Sequence, residues 1–100
     1  MQSYDICYLP IAEDDLGEIV GYLLEHSIDA ANAFINELEG LEERLSMFPK
    51  SAAPIRNKKL RSKGYRVAVI GEYLLFYIMQ NESICVMRII HGKRNYLSIL

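Results

Sequence analysis

Little in this sequence favours a membrane, a metal or a disulfide framework. No apolar run approaches the ~18 residues that a bilayer span requires. The opening Met1-Gln2-Ser3 carries no basic-then-apolar leader. A cytoplasmic protein with no membrane partner is therefore expected. The two cysteines, Cys7 and Cys85, lie in separate apolar, strand-like runs without the spacing of a zinc cage. They read as buried free thiols, and neither a metal site nor a cofactor is expected. Phosphate-cradling glycine loops, nucleophile elbows, repeats and low-complexity tracts are missing too. What remains, 100 residues that are 51% apolar and 24% charged, is the make-up of one globular domain spanning 1–100.

Charge is where the chain departs from the ordinary. Residues 1–48 hold 11 acids against Arg44 alone, whereas residues 49–100 hold 10 bases against Glu72 and Glu82. The net charge of -2 thus conceals an acidic half and a basic half. Such a division marks a basic face for an anionic partner, or two halves that attract across the fold.

Periodicity changes once along the chain. Residues 4–9 form an aromatic and branched strand closed by Pro10, which can open a helix because its missing amide donor costs nothing there. A helical stripe of Ala12, Leu16, Ile19, Val20, Leu23 and Leu24 runs to about His26, with Glu13, Asp14, Asp15 and Glu18 near the positive end of the dipole. Asp29 is a fair N-cap for a second helix striped by Ala30, Phe34, Leu38, Leu41, Leu45 and Phe48, which Pro49 stops. Residues 49–63 show no period and read as a basic loop. Beyond them the period is two: strands at 65–70 and 73–79 turn through Gly71-Glu72, and a third at 84–90 is apolar on both faces apart from Arg88. The fold class is α+β, an N-terminal strand and an antiparallel helical hairpin followed by a three-stranded antiparallel meander packed on the helices.

Three groups could carry function. The basic loop residues Arg56, Lys58, Lys59 and Arg61 suit phosphate or an acidic peptide, or form a plain solvated loop. Arg66 at a strand start, near Tyr73 and Tyr77 across a strand pair, offers stacking beside a cation, or tyrosines half-buried in the core. Arg88, His91, Lys93, Arg94 and Tyr96 gather at the end of the last strand, where His and Tyr suit proton transfer and Arg suits a developing phosphate charge. A histidine beside glycine at a strand end serves equally to hold a neighbouring carbonyl.

The residues 9–19, LPIAEDDLGEI, with Gly64-Tyr65-Arg66, Phe76-Tyr77 and Arg88-Ile89-Ile90-His91-Gly92-Lys93-Arg94, resemble the RelE/ParE superfamily of bacterial toxins in order and spacing. The resemblance implies the toxin of a type II toxin–antitoxin pair, held inactive by a cognate antitoxin whose disordered tail wraps it. RelE-type members cut messenger RNA on the ribosome with basic residues spread over the sheet and a C-terminal tyrosine. ParE-type members poison DNA gyrase and lack that set. Arg66 and Arg94 match two RelE basic positions, but Ala68 and Leu74 stand where two others would be, and Tyr96 lies earlier than the RelE tyrosine. The helical hairpin and the Arg-Ile-Ile-His ending look more like ParE. The resemblance therefore implies a binder of gyrase rather than an enzyme. The alternatives are a ribosome-dependent nuclease using Arg66, His91, Arg94 and Tyr96, with ribosome and mRNA as partners, or an inactive member that binds only its antitoxin. Arg56, Lys58, Lys59, Arg61, Arg66, Arg88 and Arg94 are the implied contacts for target or antitoxin.

Overall fold

A computed structural model of the chain describes residues 3–100. Strand β1 (Asp5–Tyr8) leads directly into α1 (Pro10–His26), with Pro10 in the first turn. The Leu9 N–H donates to Val86 O at 3.0 Å while Leu9 O accepts the Ala12 and Glu13 N–H groups, so one residue ends the strand and starts the helix. The buried residues of α1 are Ala12, Asp15 and Ile19, whereas Leu24 is half-exposed.

A single residue joins the two long helices. The Ser27 N–H donates to Leu23 O at 2.8 Å, ending α1, and its hydroxyl accepts the Ala30 N–H at 3.2 Å, starting α2 (Ile28–Met47). Ser27, not Asp29, is therefore the N-cap: only the residue outside the first turn can turn its side-chain oxygen back onto the N–H three positions on. The buried stripe of α2 is Ala31, Phe34, Leu38, Leu41 and Leu45. Ala30 and Phe48, expected in that stripe, lie at the helix ends, where Phe48 has left helical geometry and is 54% exposed.

The segment 49–63 is more ordered than its composition suggests. It contains a two-residue strand β2 (Ala53–Pro54) and a short helix α3 (Lys58–Ser62). Asn57 caps α3 by accepting the Leu60 N–H at 3.0 Å, and the buried Leu60 pins the helix to the domain. Then follow β3 (Arg66–Ile70), β4 (Tyr73–Gln80) and β5 (Ser83–His91), and a 3-10 turn at Tyr96–Ser98. Gly71, at φ 55, opens the two-residue β3–β4 turn with the left-handed backbone such hairpins need.

The five strands form one sheet in the order β1-β5-β4-β3-β2, with β1 parallel to β5 and the other pairs antiparallel. The sheet has two covered faces. On one, Ala68, Ile70, Leu75, Tyr77, Ile84, Val86 and Ile89 pack under the helical hairpin. On the other, Phe76 and Ile90 pack with Ile55 and Leu60, and Tyr65, Tyr96, Ile99 and Leu100 lean on them. The period-two alternation of β4 assigns Leu75 and Tyr77 to the first face and Leu74 and Phe76 to the second. Among the described residues no helix is long and apolar enough to cross a membrane.

Candidate functional site

The candidate residues fall in four places. The first is α3. Arg56, Lys58, Lys59, Arg61 and Lys63 are all exposed around the buried Leu60, because in a one-turn helix only one side can face the core. None of the five takes part in an ion pair among the described residues, so this turn presents bare positive charge. The sequence placed these residues in an irregular loop; the Asn57 cap three residues before Leu60 was the signal for a helix.

Arg66 sits elsewhere. Its guanidinium donates to Ala52 O at 2.7 Å and to Lys50 O at 3.4 Å. Its register partner is Tyr77, whose hydroxyl donates to Pro49 O at 2.7 Å. The Arg–Tyr proximity read from the sequence is real, but both polar ends hold the carbonyls of the strap 49–52. Burial pushes the Tyr77 hydroxyl upward, and the Arg66 charge works against that shift.

Arg88 is likewise engaged. Its Nε and Nη2 donate to the Asp15 carboxylate at 2.7 and 2.8 Å, and the Ile89 N–H donates to Asp15 Oδ2 at 3.1 Å. The pairing of β5 with β4 slips here: Arg88 faces Phe76 and Val86 faces Tyr77, leaving Met87 as the extra residue of a bulge. The bulge turns Arg88 toward α1 and frees the Ile89 N–H that Asp15 takes up. Hydrogen bonding to Asp15, more than the opposing effect of burial, holds the guanidinium firmly protonated. Arg88 is thus a strut between helix and sheet. Asp15, which the sequence grouped with the acids of the first turns, is the residue that reading missed. The signal was present: Ala12, Asp15 and Ile19, spaced three and four, share the buried face.

His91 closes the sheet at the far end. Its Nε2 lies 3.6 Å from Glu72 Oε2 and its Nδ1 accepts the Lys93 N–H at 3.2 Å, which places the ring proton on Nε2 facing the carboxylate. The ring stands edge-on to Tyr73 at 5.3 Å, and Tyr73 in turn to Phe34 at 5.5 Å. Gly92 lets the β3–β4 turn approach, since its N–H donates to Glu72 O at 2.9 Å and a Cβ there would meet that oxygen at 3.3 Å. Tyr22, Phe34, Glu37, Tyr73 and His91 line an open apolar cleft of about 540 Å³ between the helical hairpin and this turn.

Arg94 is exposed just beyond, on a turn held by its N–H to His91 O at 3.0 Å. Tyr96 does not join it. Its ring packs on Phe76 at 5.1 Å on the opposite sheet face from the cleft. Leu97, expected to pack on the sheet, is 51% exposed, and Tyr96, Ile99 and Leu100 make the contact instead. Arg66 and His91 pair with Tyr77 and Tyr73, four residues apart on β4, which is ~13 Å along a strand. The structure therefore places His91 and Tyr96 on opposite faces of the sheet and holds Arg66 on the strap carbonyls, while Arg94 lies exposed on the turn after His91. Among the described residues no group of three or more His, Cys, Asp or Glu side chains is placed to hold a metal ion.

Comparison with known proteins follows the same lines. A family model described as the ParE toxin of the parDE type II toxin–antitoxin system matches residues 6–96. A solved structure described as the chromosomal ParDE toxin–antitoxin system from P. aeruginosa shares the fold, with a TM-score of 0.69 at 14% identity, covering 91% of this chain and 98% of that one. No curated protein matches the sequence.

Proposed function

We propose that this chain, which belongs to the ParE toxin family of type II toxin–antitoxin systems, inhibits growth by binding DNA gyrase and is neutralised by a cognate antitoxin. The observation that supports binding over cleavage is the dispersal of Arg66, His91, Arg94 and Tyr96. Metal-free phosphodiester cleavage needs a base, an acid and a fixed cation converging on one phosphate. Here Arg66 is tied to the strap at Ala52 O and Tyr96 is packed on Phe76, on the other face from His91.

The antitoxin reading rests on two surfaces. The apolar cleft by Tyr22, Phe34 and Tyr73 accepts hydrophobic side chains of a partner segment, and the exposed charges of α3 answer acidic ones. A disordered tail that orders as it binds suits both, since it can follow a surface running over two faces of a thin domain. Induction of the chain in cells without its antitoxin tests the function. Growth arrest with DNA breaks preceding any loss of messenger RNA is expected. Messenger-RNA cleavage appearing first, with DNA intact, overturns the gyrase reading.

A further inference from the structure

Cys7 and Cys85 face each other across the parallel strands β1 and β5. Their neighbours Ile6, Tyr8, Ile84 and Val86 pack toward the helices, so both thiols project from the other face of the sheet. Adjacent strands run ~4.8 Å apart, inside the ~4.4–6.8 Å between Cα atoms that a disulfide bridges. The Cys7 thiol donates to Ile84 O at 3.6 Å, on the residue next to Cys85. Both are free, and they differ in access: Cys7 is exposed while Cys85 is 6% exposed. Neither belongs to the surfaces described above.

We propose that Cys7 and Cys85 form a redox-active dithiol that closes reversibly into an intrasheet disulfide by exchange with a small-molecule disulfide. The exposed Cys7 thiolate attacks one sulfur of the incoming disulfide, forming a mixed disulfide and releasing one small thiolate. Cys85 then yields its proton to solvent and its thiolate attacks the Cys7 sulfur. The mixed bond breaks and the second small thiolate leaves. Overall the protein loses two electrons and two protons, and the small disulfide becomes two thiols. Access sets the order of the steps, because only Cys7 can be reached from solvent. Burial, and secondarily the adjoining Cys7 thiol, pushes the Cys85 thiol above its ordinary range, so the closing step quickens with rising pH. The closed bond ties β1, and with it the start of α1, to β5 across a loop that takes in most of the chain.

The full-length chain incubated with oxidised glutathione provides the test. The expected product is a monomer whose mass is lower by two hydrogens, with both thiols lost to alkylation and recovered by dithiothreitol. Its unfolding midpoint in denaturant should rise on oxidation and return on reduction. In Cys85→Ser the reaction should stop at a glutathione adduct on Cys7, and in Cys7→Ser the native protein should take up no glutathione. A stable adduct on Cys7 in the wild-type chain overturns the proposal. So does a disulfide-linked dimer, or thiols that persist unchanged. The wild-type mass decides even if either variant fails to fold.

Discussion

The Asp15 carboxylate accepts three hydrogen bonds, two from Arg88 and one from the Ile89 N–H, in a site where the two side chains are 10% and 16% exposed. Removing one member of such a pair leaves the other charged and poorly solvated. Asp15→Ala should therefore cost about 3 kcal/mol in chemical denaturation, whereas Glu13→Ala, two residues away and exposed, should cost little. Equal and small losses would show that the strut carries no stability. Tyr8 gives a second test, in alkali. Its hydroxyl donates to Glu42 Oε2 at 2.7 Å, and burial, then that hydrogen bond, then the Glu42 charge push it well above the ordinary tyrosine value. Above pH ~10 an unfolded tyrosine loses its proton while Tyr8 in the native chain keeps it. The native state then binds more protons, so stability falls as pH rises through and beyond ~10. Tyr8→Phe should lose about 1 kcal/mol near neutrality and show a shallower decline between pH 9 and 11. A parallel decline in both proteins would rule Tyr8 out as its source. Of these contacts the sequence disclosed Arg88 as the odd polar residue of an apolar strand. It did not disclose Asp15, because an acid in the first turns of a helix has a sufficient local explanation in the dipole. Only its place between Ala12 and Ile19 argues otherwise.

Among the elements, the long ones were legible and the short ones were not. The hairpin α1–α2 repeats a hydrophobic period over several turns, and β3 to β5 are branched and aromatic runs bounded by turn residues, signals that survive local exceptions. β2 is two residues long and α3 is five, too short for any period to be seen. Both owe their place to tertiary contacts, β2 to pairing with Arg66 and Val67 and α3 to Leu60 in the second core. The parallel pairing of β1 with β5 is also non-local, and joins the first strand to the last. Two predictions belong to these elements. Reversing Lys58, Lys59 and Arg61 to Glu should leave stability nearly unchanged, since all three are exposed. It should weaken antitoxin binding at least about tenfold at low salt and flatten its salt dependence. Unchanged affinity and salt slope would remove α3 from the interface. Deleting residues 97–100 takes away Ile99 and Leu100, which lean on Ile55 and Leu60 from partly exposed positions. The deletion should cost about 2 kcal/mol, roughly half the value of two full burials. A truncated chain of full stability would show that the tail rests on the surface without holding it.

At the scale of the whole molecule, the division of charge seen in the sequence becomes a division of space. The acidic half folds into β1 and the helical hairpin over one face of the sheet, and the most basic stretch folds into α3 on the other. Asp15–Arg88 is a carboxylate–guanidinium pair that crosses between the halves. Most of the remaining charged side chains are exposed. The same layering separates residues a nuclease would need, with His91 by the cleft, Tyr96 on the opposite face and Arg66 of β3 tied to the strap. A sequence places such residues on strands but does not say which face or which end they share once a bulge and a strap intervene. The most direct measurement is made with purified components: gyrase, plasmid DNA and ATP with increasing amounts of the chain, beside translating ribosomes given the same amounts. Cleaved DNA is expected to accumulate on gyrase in a dose-dependent way, suppressed by the antitoxin, with messenger RNA on the ribosomes intact. Unaffected gyrase together with codon-phased cuts in the messenger, abolished by His91→Ala or Arg94→Ala, would contradict gyrase as the target.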